Sequence, residues 1–272
     1  MRNEVRTTIR LSAASVALLG CLAWTVPAAA QDGTDFRPTS DYTLQRAGEV
    51  LEDAEVFYSP RQVAYLVLAS ALDRPLIVRI PEEVVVEIPA EAVEVDDLGE
   101  IARVDPAEAR TVGAFERRRE ELRFELDGAP TALVPAAPIV GWQTPQTLRS
   151  RDAVLRAGFA RVRAGAPPVE KAVAVSFEGE VVVEVFFGSW DEYNRRVMPK
   201  IMQLEEELSA SPVEFRYYGL PRRLADDPMA VERDVHGVPT MIVSRNGAEI
   251  GRRAGRSLDE PAESFRRLIA GE

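Results

Sequence analysis

The chain has 272 residues, 46% of them hydrophobic and 28% charged, with a formal net charge of -11, one cysteine and one histidine. The acidic balance excludes nucleic acid, which needs a basic footprint, and equally disfavours anionic lipid headgroups as partners. One histidine and one cysteine exclude the usual zinc ligand sets, so no metal and no other cofactor is expected.

Arg2, Arg6 and Arg10 form a basic front, residues 11–26 an apolar stretch, and Ala28-Ala29-Ala30 a small-residue cleavage site. This pattern predicts a secretory signal over residues 1–30, hence a periplasmic or secreted protein. A lipoprotein is the alternative, because Leu18-Leu19-Gly20-Cys21 approximates a lipobox and would place a lipid anchor on Cys21; the bulky Leu19 and the apolar run continuing past Cys21 count against it. Cleavage after Ala30 removes the only cysteine, so the mature chain has no thiol, no disulfide and no expected membrane span. The excised residues carry three arginines against Glu4, which leaves the mature form near -13. Only Lys171 and Lys200 are lysines, a usage that, with abundant alanine and valine, points to a GC-rich bacterial genome.

Residues 31–43 lack periodicity and are expected to be a flexible leader. Residues 44–140 form a β-rich N-terminal domain of no recognised family. Residues 62–68 and 76–80 flank Asp73-Arg74-Pro75 as a hairpin, 84–88 follow, and 122–126 return through the Asp127-Gly128 turn into 131–134. A small antiparallel sheet or partial barrel with one packed and one wet face is expected. The acids Glu82, Glu83, Asp96, Asp97 and Glu100 lack calcium-loop spacing and read as a solvated face, as does Arg117-Arg118-Arg119.

Residues 141–170 form a helical connector and linker. Thr144 caps a single helix with Pro145 in its first turn, Leu148, Leu155, Phe159 and Val162 share one face, and Gly165-Ala166-Pro167-Pro168 is the domain joint. Trp142 is expected to pack at that joint.

From residue 171 the order is strand (172–177), strand (181–187), helix, strand (213–218), short helix (228–233), strand (241–243), Asn246-Gly247 turn, strand and final helix. The 181–187 strand is apolar except for Glu184 and should be central. Phe186-Phe187-Gly188-Ser189-Trp190-Asp191-Glu192-Tyr193-Asn194, with Pro199 five residues on, resembles a thioredoxin active-site segment in which Asp191 and Asn194 stand at the two cysteine positions. Gly237-Val238-Pro239-Thr240 is similar to that family's cis-proline signature, and Ser257-Leu258-Asp259-Glu260 reads as a capping box for the last helix. The resemblance implies an α/β thioredoxin-like C-terminal domain (171–272) beside the small antiparallel β-rich N-terminal domain. It also places Val185 where the family carries a buried proton-accepting aspartate, so both sulfurs and the acid that serves them are replaced.

Asp191 then acts as a helix cap, not as a thiolate. Thioredoxin-like domains hold extended peptides beside the cis-proline loop, and the resemblance implies such a groove at Trp190, Tyr193, His236, Val238 and Pro239, with envelope proteins or extended peptides as partners and no redox activity. A purely structural role for the domain is the plain alternative. A different class of reading is a non-thiol enzyme using Asp191, Glu192 and His236, although Asp191 and Glu192, as helix neighbours, point apart. No catalytic residue is assigned.

Overall fold

A computed structural model describes residues 34–105, 109–165 and 179–271. The expected signal, Cys21, the 172–177 strand and the Ala166-Pro167-Pro168 joint lie outside the described residues. Residues 33–272 cluster as one compact unit.

The chain runs through β1 (Thr34–Pro38), β2 (Tyr42–Arg46), β3 (Glu49–Val50), β4 (Glu55–Ser59), β5 (Ala64–Leu68), β6 (Leu76–Arg79), β7 (Val84–Glu87), β8 (Val93–Val95), β9 (Ala102–Val104), β10 (Arg110–Ala114), β11 (Glu116–Arg118), β12 (Glu121–Leu126) and β13 (Ala129–Pro135). These form two antiparallel sheets, β10-β7-β6-β5-β4-β1-β9-β8 and β11-β12-β13-β2-β3. Asp127 and Gly128 both have positive φ, the geometry of a tight two-residue hairpin, and set the β12–β13 register at Leu126 opposite Ala129.

Leu44, Val56, Val67, Val78, Val85 and Leu133 pack between the two sheets. The expectation of a wet second face fails for the larger sheet, because Phe57, Leu66, Ile77 and Val86 on its other side are equally buried. Ile77 of β6 shares a cluster with Ala102 and Val104 of β9, four strands away in the sheet order, so the sheet curls and covers its own back.

The flexible leader is also corrected from residue 34 onward. Strand β1 pairs with β4 and β9, and Phe36 is fully buried among their side chains. One large apolar residue in a polar pentapeptide gives no periodic signal, yet it fills the curl.

The remaining elements are β14 (Gly141–Gln143), α1 (Pro145–Arg151), α2 (Ala153–Gly165), β15 (Val181–Phe187), α3 (Glu192–Glu207), β16 (Val213–Gly219), α4 (Pro228–Glu232), β17 (Thr240–Arg245), β18 (Ala248–Ala254) and α5 (Pro261–Ala270). The third sheet has the order β14-β16-β15-β17-β18, with β15 central and its partner β16 parallel. On one face Val181, Val183, Val185 and Phe187 meet Leu148, Leu155, Phe159, Val197, Ile201 and Phe265 of the helices. On the other, Phe186 joins Leu220, Ala230, Val235 and Ile242, and buried Glu184 pairs with Arg233 at 2.8 Å.

Three local expectations change. The connector helix is two helices, because Asp152 takes extended backbone, closes α1 with its N–H on Leu148 and caps α2 with its Oδ1 on the N–H groups of Val154 and Leu155. Trp142 belongs to an edge strand paired with β16, and its ring meets Tyr218 edge-on while remaining half exposed. Ser257 does not cap the last helix: it lies in a 3-10 turn with its hydroxyl on the Ala254 carbonyl, and α5 starts later, at Pro261.

Candidate functional site

Register fixes the site. Phe186 lies opposite Thr240 in the β15–β17 ladder, so the Gly188–Asp191 turn after β15 and the Val238-Pro239 bond before β17 share one end of the sheet. That bond is cis.

At the turn, Asp191 has extended backbone and its Oδ1 accepts the Asn194 N–H at 2.9 Å, a side-chain N-cap of the 16-residue helix α3. Asn194, buried, donates its amide to the same Oδ1 and accepts the Gly188 N–H at 3.1 Å on its own carbonyl oxygen. Asp191 Oδ1 and the Asn194 side-chain amide are thus engaged with each other and with the turn. Gly188 is required here, since a Cβ would lie 2.8 Å from the Trp190 ring. Val185 is fully buried in the apolar core beneath α3 and offers no proton acceptor.

Trp190 donates its indole N–H to the Leu220 carbonyl at 3.0 Å, and Arg222 lies 5.7 Å above its ring. Leu220 N–H in turn donates to Phe187 O, which draws the end of β16 under the turn. Tyr193 donates its hydroxyl to the Gly255 carbonyl (3.1 Å) and to Asp259 (2.9 Å), while Gly255 N–H donates to Pro239 O. Gly255 therefore joins Tyr193 to the Val238-Pro239 loop. Burial, with the nearby Asp259 carboxylate, pushes the Tyr193 hydroxyl up and keeps it a donor.

Val238 is half buried against the Leu220, Ala230 and Val235 cluster. Among the described residues neither its N–H nor its carbonyl has a hydrogen-bond partner. His236 stands apart from this arrangement: its side chain is 85% exposed and its Nε2 lies 2.8 Å from Asp234. Glu192 is exposed, and no hydrogen bond or ion pair joins it or His236 to Asp191. The carboxylates and the imidazole do not converge.

The β-rich half meets the turn directly, which sequence reasoning missed. Arg195 binds Asp41 through both terminal nitrogens at 3.0 Å and donates from Nε to the Ser189 carbonyl, while buried Ser189 accepts the Ile139 N–H at 2.9 Å. Asp152 is 3% exposed, accepts the Ser40 hydroxyl at 2.5 Å, and has no partner on Oδ2. Burial pushes its carboxyl above the usual range against the pull of Ser40. Trp190 lines two cavities at this boundary, of about 230 Å³ beside Ser40 and Asp152 and about 760 Å³ beside Arg161 and Arg195. Among the described residues no group of three or more His, Cys, Asp or Glu is placed to hold a metal, and no helix is long and apolar enough to cross a membrane.

No protein-family model matches the chain, and no curated protein matches it. Among solved structures, a Fasciola hepatica thioredoxin is 24% identical over 34% of this chain and 81% of its own, with a TM-score of 0.28. The germline-specific thioredoxin Deadhead of Drosophila melanogaster is 14% identical over 42% and 93%, at 0.27. A structure described as a malarial protein is 17% identical over 34% and 96%, at 0.28.

Proposed function

We propose that this is an exported thioredoxin-like protein in which Asp191 and Asn194 replace the redox cysteines, and that it works without redox chemistry as a binding or scaffolding module for extended peptide segments of envelope proteins. The observation that carries this reading is the unpaired N–H and carbonyl of Val238, two residues before β17 at the sheet end that also carries the Gly188–Asp191 turn. An unpaired donor and acceptor on one half-buried residue at a sheet end would offer an incoming strand two backbone hydrogen bonds, and strand addition needs no thiol. Half-buried Val238 would take one side chain of that strand, and the partly exposed Trp190 ring another.

Polar accounting favours binding over catalysis. Asp191 caps α3 through its Oδ1, and no hydrogen bond or ion pair joins it or Glu192 to His236, so the three do not form an acid–base unit. The test is binding of a permanently unfolded polypeptide with blocked thiols to the mature chain and to Val238→Asp, with thermal melting to confirm that the variant folds. Loss of binding in a folded Val238→Asp supports the groove; unchanged binding places the partner elsewhere.

A further inference from the structure

We propose a second, small-molecule site on the β-rich half: a pocket of about 340 Å³ that takes a ring-bearing acid between three tyrosines and two arginines. Tyr65 is the hub, with its ring centroid 5.0 Å from both Tyr42 and Tyr58, and all three rings are partly exposed. The hairpin β11–β12 brings Arg117 and Arg119 to the same pocket, and the turn after β4 brings Val63.

Two observations point to a ligand. The first is charge. Arg118 pairs with Glu116, but Arg117 and Arg119 have no ion-pair or hydrogen-bond partner among the described residues. One carboxylate, Glu120, lines the pocket with them, and nearby Asp41 is engaged by Arg195. Two guanidinium groups facing one acid leave room for an added anion and repel a cation.

The second is the lining. Burial raises the Tyr42 and Tyr65 hydroxyls above their usual range, with Glu120 adding to the effect at Tyr42 and Arg117 opposing it. Both stay protonated, so the pocket offers flat apolar faces with polar edges, which suits a ring. Its volume is near the low end for small-ligand sites, roughly one ring.

A sugar acid and an aryl carboxylate share this chemistry. The experiment titrates the mature chain with D-glucuronate and with benzoate, each against its neutral counterpart, D-glucose or benzyl alcohol, and with benzylammonium as the cation control. At least one acid is expected to bind about tenfold or more tighter than its neutral counterpart, and which one does so identifies the source. Arg117→Gln with Arg119→Gln, both on the exposed surface, is expected to abolish that preference, and Tyr58→Leu to weaken both ring ligands. Failure of both acids to bind, equal binding of acid and neutral forms, tightest binding of benzylammonium, or an acid preference that survives the arginine double variant would each overturn the proposal.

Discussion

At the scale of single residues, Asp191 holds a helix where the resemblance would put a nucleophile. Asp191→Ala removes the α3 cap, worth about 1 kcal/mol. It also leaves the buried Asn194 amide without its acceptor, which adds roughly 1–3 kcal/mol. Denaturant unfolding should show both losses together, and Asp191→Asn, which keeps an acceptor oxygen, should recover most of the difference. Asp152 is a second case. Burial lifts its folded-state carboxyl above the unfolded value, so the folded chain holds this proton more tightly than the unfolded chain does. Its contribution is favourable below the ordinary aspartate range, near pH 3.9, and is lost as pH rises through the lifted value. Asp152→Asn keeps the Oδ1 cap without the charge. Its melting temperature relative to wild type is expected to climb between about pH 4 and neutrality, and a gap that closes over that range would contradict the burial argument.

At the scale of elements, helix α2 crosses α3 at a contact made by two residues that ordinarily weaken helices, Gly158 and Pro199. On propensity alone Gly158→Ala should gain about 1 kcal/mol. A Cβ there would lie 2.9 Å from Pro199 Cγ, on a ring that α3 holds in place, and overpacking of this kind costs about 1–3 kcal/mol. Net destabilisation is expected in denaturant unfolding, whereas a stabilised variant would show that the helices can part without cost. Elements with an unbroken period or a glycine turn were legible in the sequence: β12 and β13 around Asp127-Gly128, β15 as an apolar run, and α3 from Val197, Ile201 and Leu204. Elements set by a single residue were not. The break at Asp152 is masked because Leu148, Leu155 and Phe159 keep helical spacing across it, and β14 is a three-residue edge strand recognisable only by its partner β16. At the site, Trp190 and Pro239 are named by the resemblance, and the β15–β17 register brings their turns to one sheet end, while the Arg195–Asp41 contact joins residues 154 positions apart and leaves no local trace.

At the scale of the whole molecule, residues 33–272 cluster as one compact unit whose β-rich half is fastened to the turn at Ser189 and Arg195, and among the described residues the Val238 backbone has no hydrogen-bond partner. The helices α1 and α2, which follow the β-rich half, cover one face of the third sheet through Leu148, Leu155 and Phe159. The Gly188–Asp191 turn is thereby built into the frame, and the proposed groove would use the sheet end at Val238. Amide hydrogen exchange of the full mature chain, read at Val238 with and without a thiol-blocked unfolded polypeptide, tests this most directly. Strand addition requires slowed exchange at the Val238 N–H when the polypeptide binds; binding that leaves this amide exchanging at its free rate would contradict the account.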